Sequence, residues 1–205
     1  LPRRHRGHFS LHSPMPFMLK VASAQDWLDT VLGSFDEFLL DHAANERKAS
    51  AMAMSMVAHY PDRPRLVTEM IDLALEEMNH FRQVYRLIEA RGLMLTADDK
   101  DPYVNALRRR MDKTREPYLL DRLLTGSVIE ARGAERFSLI AGALEDDKLA
   151  SFYKVLARSE AEHQSRFIEI ANLYFHPSEV QERLEFWLDE EATVLAEIPI
   201  RPRLH

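Results

Sequence analysis

The sequence predicts an all-α fold, a four-helix bundle with additional short helices, and three observations carry that prediction. The ten prolines fall at 2, 14 and 16, at 61 and 64, and then at 102, 117, 177, 199 and 202, leaving long proline-free stretches between them. Four of those stretches repeat core-type residues in alternating steps of four and three, the spacing of one helix face. No stretch shows sustained strand alternation flanked by turn pairs such as Asn-Gly. Helices are therefore expected at 24–33, 35–59, 65–91, 103–113, 117–144, 146–174 and 178–196.

Taken in order, residues 1–18 hold His5, His8, His12, three arginines and three prolines without any periodicity. They read as a disordered or artificially appended arm, with an RNA-contacting arm as the alternative, ahead of one domain over 19–205. Nothing rigid holds the three histidines together as a metal site. The first long helix carries the stripe Phe35, Leu39, His42, Glu46, Ala49, Ala53, Met56, and the second carries Leu66, Met70, Leu73, Glu77, His80, Val84, Leu87. Gly92 follows Arg91 as a helix-terminating residue. Pro117 suits the first turn of the third long helix, whose stripe is Leu119, Leu123, Gly126, Glu130, Gly133, Phe137, Ile140. The fourth stripe is Leu149, Phe152, Leu156, Glu160, His163, Phe167, Ile170.

Composition narrows the function. With 205 residues the chain fits one domain. It has no cysteine, which removes disulfide frameworks, thiolate zinc sites, iron–sulfur clusters and cysteine nucleophiles. No apolar run is long enough to span a bilayer, so no membrane span is expected. The lack of cysteine is compatible with a reducing cytosol, and a cytoplasmic location is the expectation. A net charge of −6 does not suit a general nucleic-acid coat. A local basic patch, Arg108, Arg109, Arg110, Lys113 and Arg115, offers either a solvated helix face or phosphate contacts for RNA.

Each stripe is apolar or small except near its middle, where a glutamate sits; in the second and fourth a histidine follows three residues later. A carboxylate inside a core stripe is costly unless it is paired, protonated or bound to metal. Two divalent cations offset four glutamates, and two neutral imidazoles complete their coordination. One glutamate from each of two helices plus Glu-x-x-His from each of the other two is the ligand set of ferritin-like di-iron and di-manganese bundles. Residues three apart share a helix face, so Glu77/His80 and Glu160/His163 can each serve one metal. The intervals agree: Glu46 to Glu77 is 31 residues and Glu130 to Glu160 is 30, while Glu46 to Glu130 is 84 and Glu77 to Glu160 is 83. Two similar helical hairpins related by a pseudo-twofold axis are implied, with a two-metal centre between them.

Nearby residues have plainer readings. Glu135 lies off the stripe and is expected as an exposed charge, and Glu76 as the solvated neighbour of Glu77. His42, one turn from Glu46, either supports the centre from behind or simply packs in the core. Gly126 and Gly133 flank Glu130 and allow either close helix packing or room for dioxygen, a bridging oxygen or a substrate tip. Phe137 and Phe167 adjoin the centre, with core packing as their plainest role.

The segments EEMNHFRQV (76–84), EPYLLDRLLTGSVIEARGAERF (116–137) and LARSEAEHQSRFIEIA (156–171) closely resemble the MiaE family of non-haem di-iron tRNA hydroxylases. The resemblance runs over residues 20–200. It is most specific at IEARGAERF and RSEAEH, and looser at DHAANERKA (41–49), so Glu46 rests more on spacing. It implies hydroxylation of the isopentenyl group of 2-methylthio-N6-isopentenyladenosine, next to the anticodon of tRNA. Two irons would be held by Glu46, Glu77, His80, Glu130, Glu160 and His163, with Glu77 and Glu160 bridging. O2 would be the oxidant, one atom entering an allylic C–H bond and the other leaving as water, with two electrons from an external electron-transfer partner. The rivals are ferritin-like iron binding or storage, a di-manganese catalase, and a metal-free helical interaction module. The oligomeric state is left open by the sequence, with a monomer as one option.

Overall fold

A computed structural model describes residues 17–205, and the reading of residues 1–16 as an arm lies outside them. Among the described residues the chain forms α1 (Gln25–Gly33), α2 (Phe35–His59), α3 (Pro64–Ala90), α4 (Pro102–Arg110), α5 (Arg115–Ala143), α6 (Asp147–Tyr174) and α7 (Pro177–Glu197). Helix starts carry the expected chemistry. Pro64, Pro102 and Pro177 open α3, α4 and α7, where a missing N–H costs nothing. Asp146 caps α6 by accepting from the N–H groups of Lys148 and Leu149. Gly92 ends α3 at φ 70°, a conformation that favours glycine. α4 stops at Arg110 rather than 113 because Asp112 leaves the helical path. Its N–H donates to Asp121 Oδ2 at 2.7 Å, and its own carboxylate accepts from the N–H of Thr114.

Two helical hairpins, α2 with α3 and α5 with α6, pack into the bundle, and α3 meets α6 across it. One apolar cluster fills one end, including Met56, Leu66, Met70, Leu123 and Phe167. A second, with Trp27, Phe38, Phe137, Ile140 and Tyr153, fills the other, and Leu39, Ala43, Val84 and Ile88 join α2 to α3. Each fully buried side chain of this size contributes roughly 1.5–3 kcal/mol. The buried glutamates form a polar layer between the two ends.

Helix α7 packs along α5 and α4, so α5 is covered on more faces than its stripe shows. Arg132, wholly buried, donates from Nε to Glu191 Oε1 at 2.8 Å and from its other nitrogens to Glu135, the Val21 carbonyl and Ser23. Asp121, also wholly buried, accepts from Arg183 at 2.6 Å and from Trp187 Nε1 at 2.9 Å. Glu135 is therefore not a solvated charge. It is half-buried and accepts from Arg132, the Ser23 N–H and the Ser23 hydroxyl, fixing the segment before α1.

The candidate metal centre

The six predicted ligands meet. Ligand atoms of Glu46, Glu77, His80 and Glu160 all lie within 4.8 Å of one another, and so do those of Glu77, Glu130, Glu160 and His163. All six residues are buried. Glu77 and Glu160 belong to both groups, so one glutamate of each Glu-x-x-His pair is shared between them. Each imidazole turns Nδ1 inward. His80 Nδ1 lies 3.6 Å from Glu46 Oε2, 3.4 Å from Glu77 Oε2 and 3.8 Å from Glu160 Oε1, while His163 Nδ1 lies 2.8 Å from Glu77 Oε1 and 3.9 Å from Glu130 Oε2.

The electrostatics are those of ligands crowded together. Burial raises the Glu160 carboxyl well above its ordinary range, and the charges of Glu130 and Glu77 raise it further. Burial also opposes ionisation of Glu77, but the adjoining imidazoles of His163 and His80 outweigh it and hold Glu77 low. Burial would lower the two imidazoles, yet Glu46 and Glu77 push His80 up to about 9, and Glu130 and Glu77 push His163 up to about 11. Three buried atoms here, Glu77 Oε1, Glu160 Oε1 and His163 Nδ1, have no hydrogen-bond partner. The last lies near Glu77 without the alignment of a hydrogen bond. Orphaned inward-facing donors of this kind fit a bound cation, and carboxylate plus imidazole is a donor set that suits iron, manganese or zinc.

The outer nitrogens show a pattern that the sequence reading missed. His163 Nε2 sits 2.8 Å from Glu76 Oε2, which also accepts from Arg166 at 3.4 Å. His80 Nε2 sits 3.2 Å from Ser159 Oγ. The residue preceding each shared glutamate thus supports the histidine of the opposite helix, so the pseudo-twofold relation extends outward, with glutamate on one side and serine on the other. Glu76 is accordingly more than a solvated neighbour of Glu77. Burial works against its ionisation, but His163 and Arg166 outweigh that and lower it. His42 takes the supporting role: its Nε2 lies 2.6 Å from Glu46 Oε1 and its Nδ1 3.2 Å from the Tyr153 hydroxyl. Tyr153 itself was hidden, because Phe152 and Tyr153 fit the stripe equally well; Phe152 is only partly buried.

A cavity of about 130 Å³ opens onto the carboxylates between α2 and α5, walled by Ala49, Met52, Val104 and Ile129, with Gly126, Gly133 and His205 also lining it. It adjoins an outer groove of about 490 Å³ with Lys48, Met52, Asp101, Val104, Gly126 and Ile129 in common. The five basic residues of the sequence patch separate, since successive helix positions point in different directions. Arg108 lines the groove and Arg109 is exposed. Arg110 pairs with Glu190 at 2.6 Å, Arg115 with Asp62 at 3.2 Å, and Lys113 donates to the Arg108 carbonyl and covers the Tyr118 ring.

The family model described as tRNA-(MS[2]IO[6]A)-hydroxylase (MiaE) matches residues 10–205. The chain belongs to the MiaE family. Among MiaE-type relatives, it is 34% identical to the tRNA 2-(methylsulfanyl)-N(6)-isopentenyladenosine(37) hydroxylase of Pseudomonas putida, over 78% of this chain and 77% of that one. It is 31% identical to the protein of the same name from Salmonella typhimurium, over 76% of this chain and 56% of that one. A solved Synechococcus protein described as having aldehyde deformylating oxygenase activity superposes with a TM-score of 0.87 at 33% identity, covering 92% of this chain and 96% of that one. The MiaE match begins at residue 10, within the stretch 1–18 set apart in the sequence, and Phe17 and Leu19 pack against the core.

Proposed function

We propose that this chain is an O2-dependent di-iron monooxygenase that hydroxylates the isopentenyl group of 2-methylthio-N6-isopentenyladenosine in tRNA. The observation that carries the reading is the pair of four-residue ligand groups sharing Glu77 and Glu160 beneath an apolar cavity. Glu46, Glu77, His80, Glu160, Glu130 and His163 would hold two iron ions, which supply O2 activation and oxidation of an allylic C–H bond. The protein does the rest. Glu76 and Ser159 orient the two imidazoles, His42 holds Glu46 in place, and Glu77 and Glu160 keep the two ligand groups in one unit.

Ala49, Met52, Val104 and Ile129 offer an apolar wall to a prenyl tail and exclude water from the reacting carbon. The absence of a side chain at Gly133 leaves space beside Glu160. No cysteine is present to carry a cluster, so electrons would come from a separate electron-transfer protein. A tRNA substrate fits a cytoplasmic enzyme, and no helix among the described residues is long and apolar enough to cross a membrane.

Arg47, Lys48, Lys100, Arg108 and Arg122 outnumber Asp99 and Asp101 along the outer groove and make it basic. Iron storage and di-manganese catalase chemistry use the same ligands, but neither has a use for an apolar cavity joined to a basic groove. The Synechococcus neighbour supports an aldehyde as the second reading. An aldehyde would use the inner cavity and leave the basic groove without a role. Glu130→Ala and His163→Ala test the assignment. Each should abolish hydroxylation of prenylated tRNA by iron-loaded protein while circular dichroism keeps the helical spectrum. Wild-type turnover in either variant would sink the assigned centre, and turnover of an aldehyde but not of RNA would favour the second reading.

A further inference from the structure

Arg122 is an unusual residue in this bundle. It is 8% exposed and lies on the wall of the outer groove, yet its hydrogen bonds go to neutral groups, His59 Nδ1 at 2.9 Å and Ser55 Oγ at 2.6 Å. Buried arginines are normally paired with a carboxylate. Arg132, nearly three turns further along α5, follows that rule with Glu191. Arg136 has no ion pair among the described residues either, but it is sealed in the core, where it donates to Ser23 and the Leu204 carbonyl, whereas Arg122 lines a groove. Among the described residues no carboxylate comes within 4.0 Å of the Arg122 guanidinium. Burial lowers its pKa accordingly, although a guanidinium stays charged. A buried cation without a counter-charge, facing a groove, is an anion site in waiting.

We propose that Arg122, together with His59, is a phosphate-binding site that seats the backbone of the RNA substrate while the prenyl tail enters the inner cavity. This rests on the tRNA reading above. Arginine can only donate, so His59 Nδ1 must accept from it, and the His59 proton then sits on Nε2 as a second donor in the groove wall. Arg108 also lines this groove. The spacing along α5 fits a single nucleotide. Arg122, Gly126 and Glu130 follow one another at intervals of four residues on one face, and eight residues of helix rise about 12 Å. That is comparable with the span of a prenylated adenosine nucleotide from its tail to its phosphate. Gly126 lines both cavities at the midpoint, where a side chain would narrow the passage. The basic run at 108–115 drew attention in the sequence, whereas Arg122 is an isolated arginine whose missing counter-charge only the fold reveals.

The test is equilibrium binding of a fluorescent anticodon stem-loop RNA carrying isopentenyladenosine to metal-loaded protein, by anisotropy over a salt series. R122Q should weaken binding about 10- to 100-fold, the loss of a charge-assisted hydrogen-bonding group. It should also reduce the slope of log K against log salt by about 0.7–0.9, one phosphate contact. R158Q, at an exposed position on α6, should bind as wild type does. R122Q with wild-type affinity and slope overturns the phosphate site and leaves the tRNA reading standing. Wild-type protein that binds no stem-loop at any salt overturns the tRNA reading instead. If R122Q fails to fold, R122K carries the test. It should retain the salt slope while losing at least about 3-fold in affinity, because a lysine cannot reproduce the planar fork, and unchanged affinity overturns the proposal.

Discussion

Gly126 and Gly133 sit on the same face of α5, one turn to either side of Glu130, and the structure gives them opposite responses to the same added methyl group. At Gly126 a Cβ would lie 3.0 Å from both Cε1 and Cζ of Phe167 and 3.2 Å from Cε2. Relaxed carbon–carbon contacts lie at about 3.5–4.0 Å, so the ring must retreat by roughly 0.5–1 Å. Phe167 is wholly buried in the apolar cluster and has no solvent to move into. Overpacking of this kind costs about 1–3 kcal/mol, and replacing a helical glycine by alanine returns about 0.5–1 kcal/mol. At Gly133 the nearest atoms are Glu160 Oε2 at 3.6 Å and Cγ at 3.7 Å, ordinary contacts, so the helix gain is unopposed. In a domain of this size 1 kcal/mol moves Tm by about 2–4 °C. Metal-free G126A should therefore melt lower by several degrees, and metal-free G133A should melt about 1–4 °C higher. G133A should nonetheless lose hydroxylation, because its methyl occupies space beside Glu160 in the cavity. Calorimetry of both variants with a nucleoside assay on each decides the matter. A destabilised G133A, or a G126A as stable as wild type, would refute the packing argument; a fully active G133A would refute the role given to that space.

Three further outcomes follow from named contacts. Glu76→Gln should weaken metal binding about 10- to 100-fold, the usual effect of removing a carboxylate that orients a ligating histidine, and metal titration of the metal-free protein measures it. Metal loading should release protons and tighten as pH rises. The raised values of Glu160, His80 and His163 mean that these groups hold protons at neutral pH in the empty site, and metal competes with those protons. Calorimetry in buffers of different ionisation heat reads the release, and binding independent of pH between 6 and 9 would contradict it. Arg132→Met should cost about 3–5 kcal/mol by stranding the buried Glu191. The double variant R132M/E191M should recover most of that in thermal unfolding.

Much of this was legible in the sequence for one reason: a helix repeats its face every three or four residues, so a glutamate among leucines on that face announces a buried charge. The six residues that the fold gathers into the candidate centre were picked out by that rule, and the near-equal hairpins by the matched intervals between their glutamates. The outer face of α5 did not. Arg132, Arg136 and Asp121 look like solvent-facing charges until α7 and the C-terminal segment cover them, and nothing in a local period encodes which helix packs over which. The roles of Glu76 and Glu135 escape a local period for the same reason. Each satisfies a partner distant in sequence, His163 or Ser23. The choice between Phe152 and Tyr153 depended on the rotation of α6, which its stripe leaves open by one residue. The Asp112–Asp121 contact that ends α4 early joins two helices across a short turn.

The most direct measurement of the central claim is mass spectrometry of nucleosides from prenylated tRNA after incubation with iron-loaded protein, a reductant and ¹⁸O₂. The account predicts one ¹⁸O atom on the isopentenyl group, and none when Glu130→Ala replaces the wild-type protein. Unlabelled isopentenyl groups from wild-type protein whose iron is bound and redox-active would contradict it.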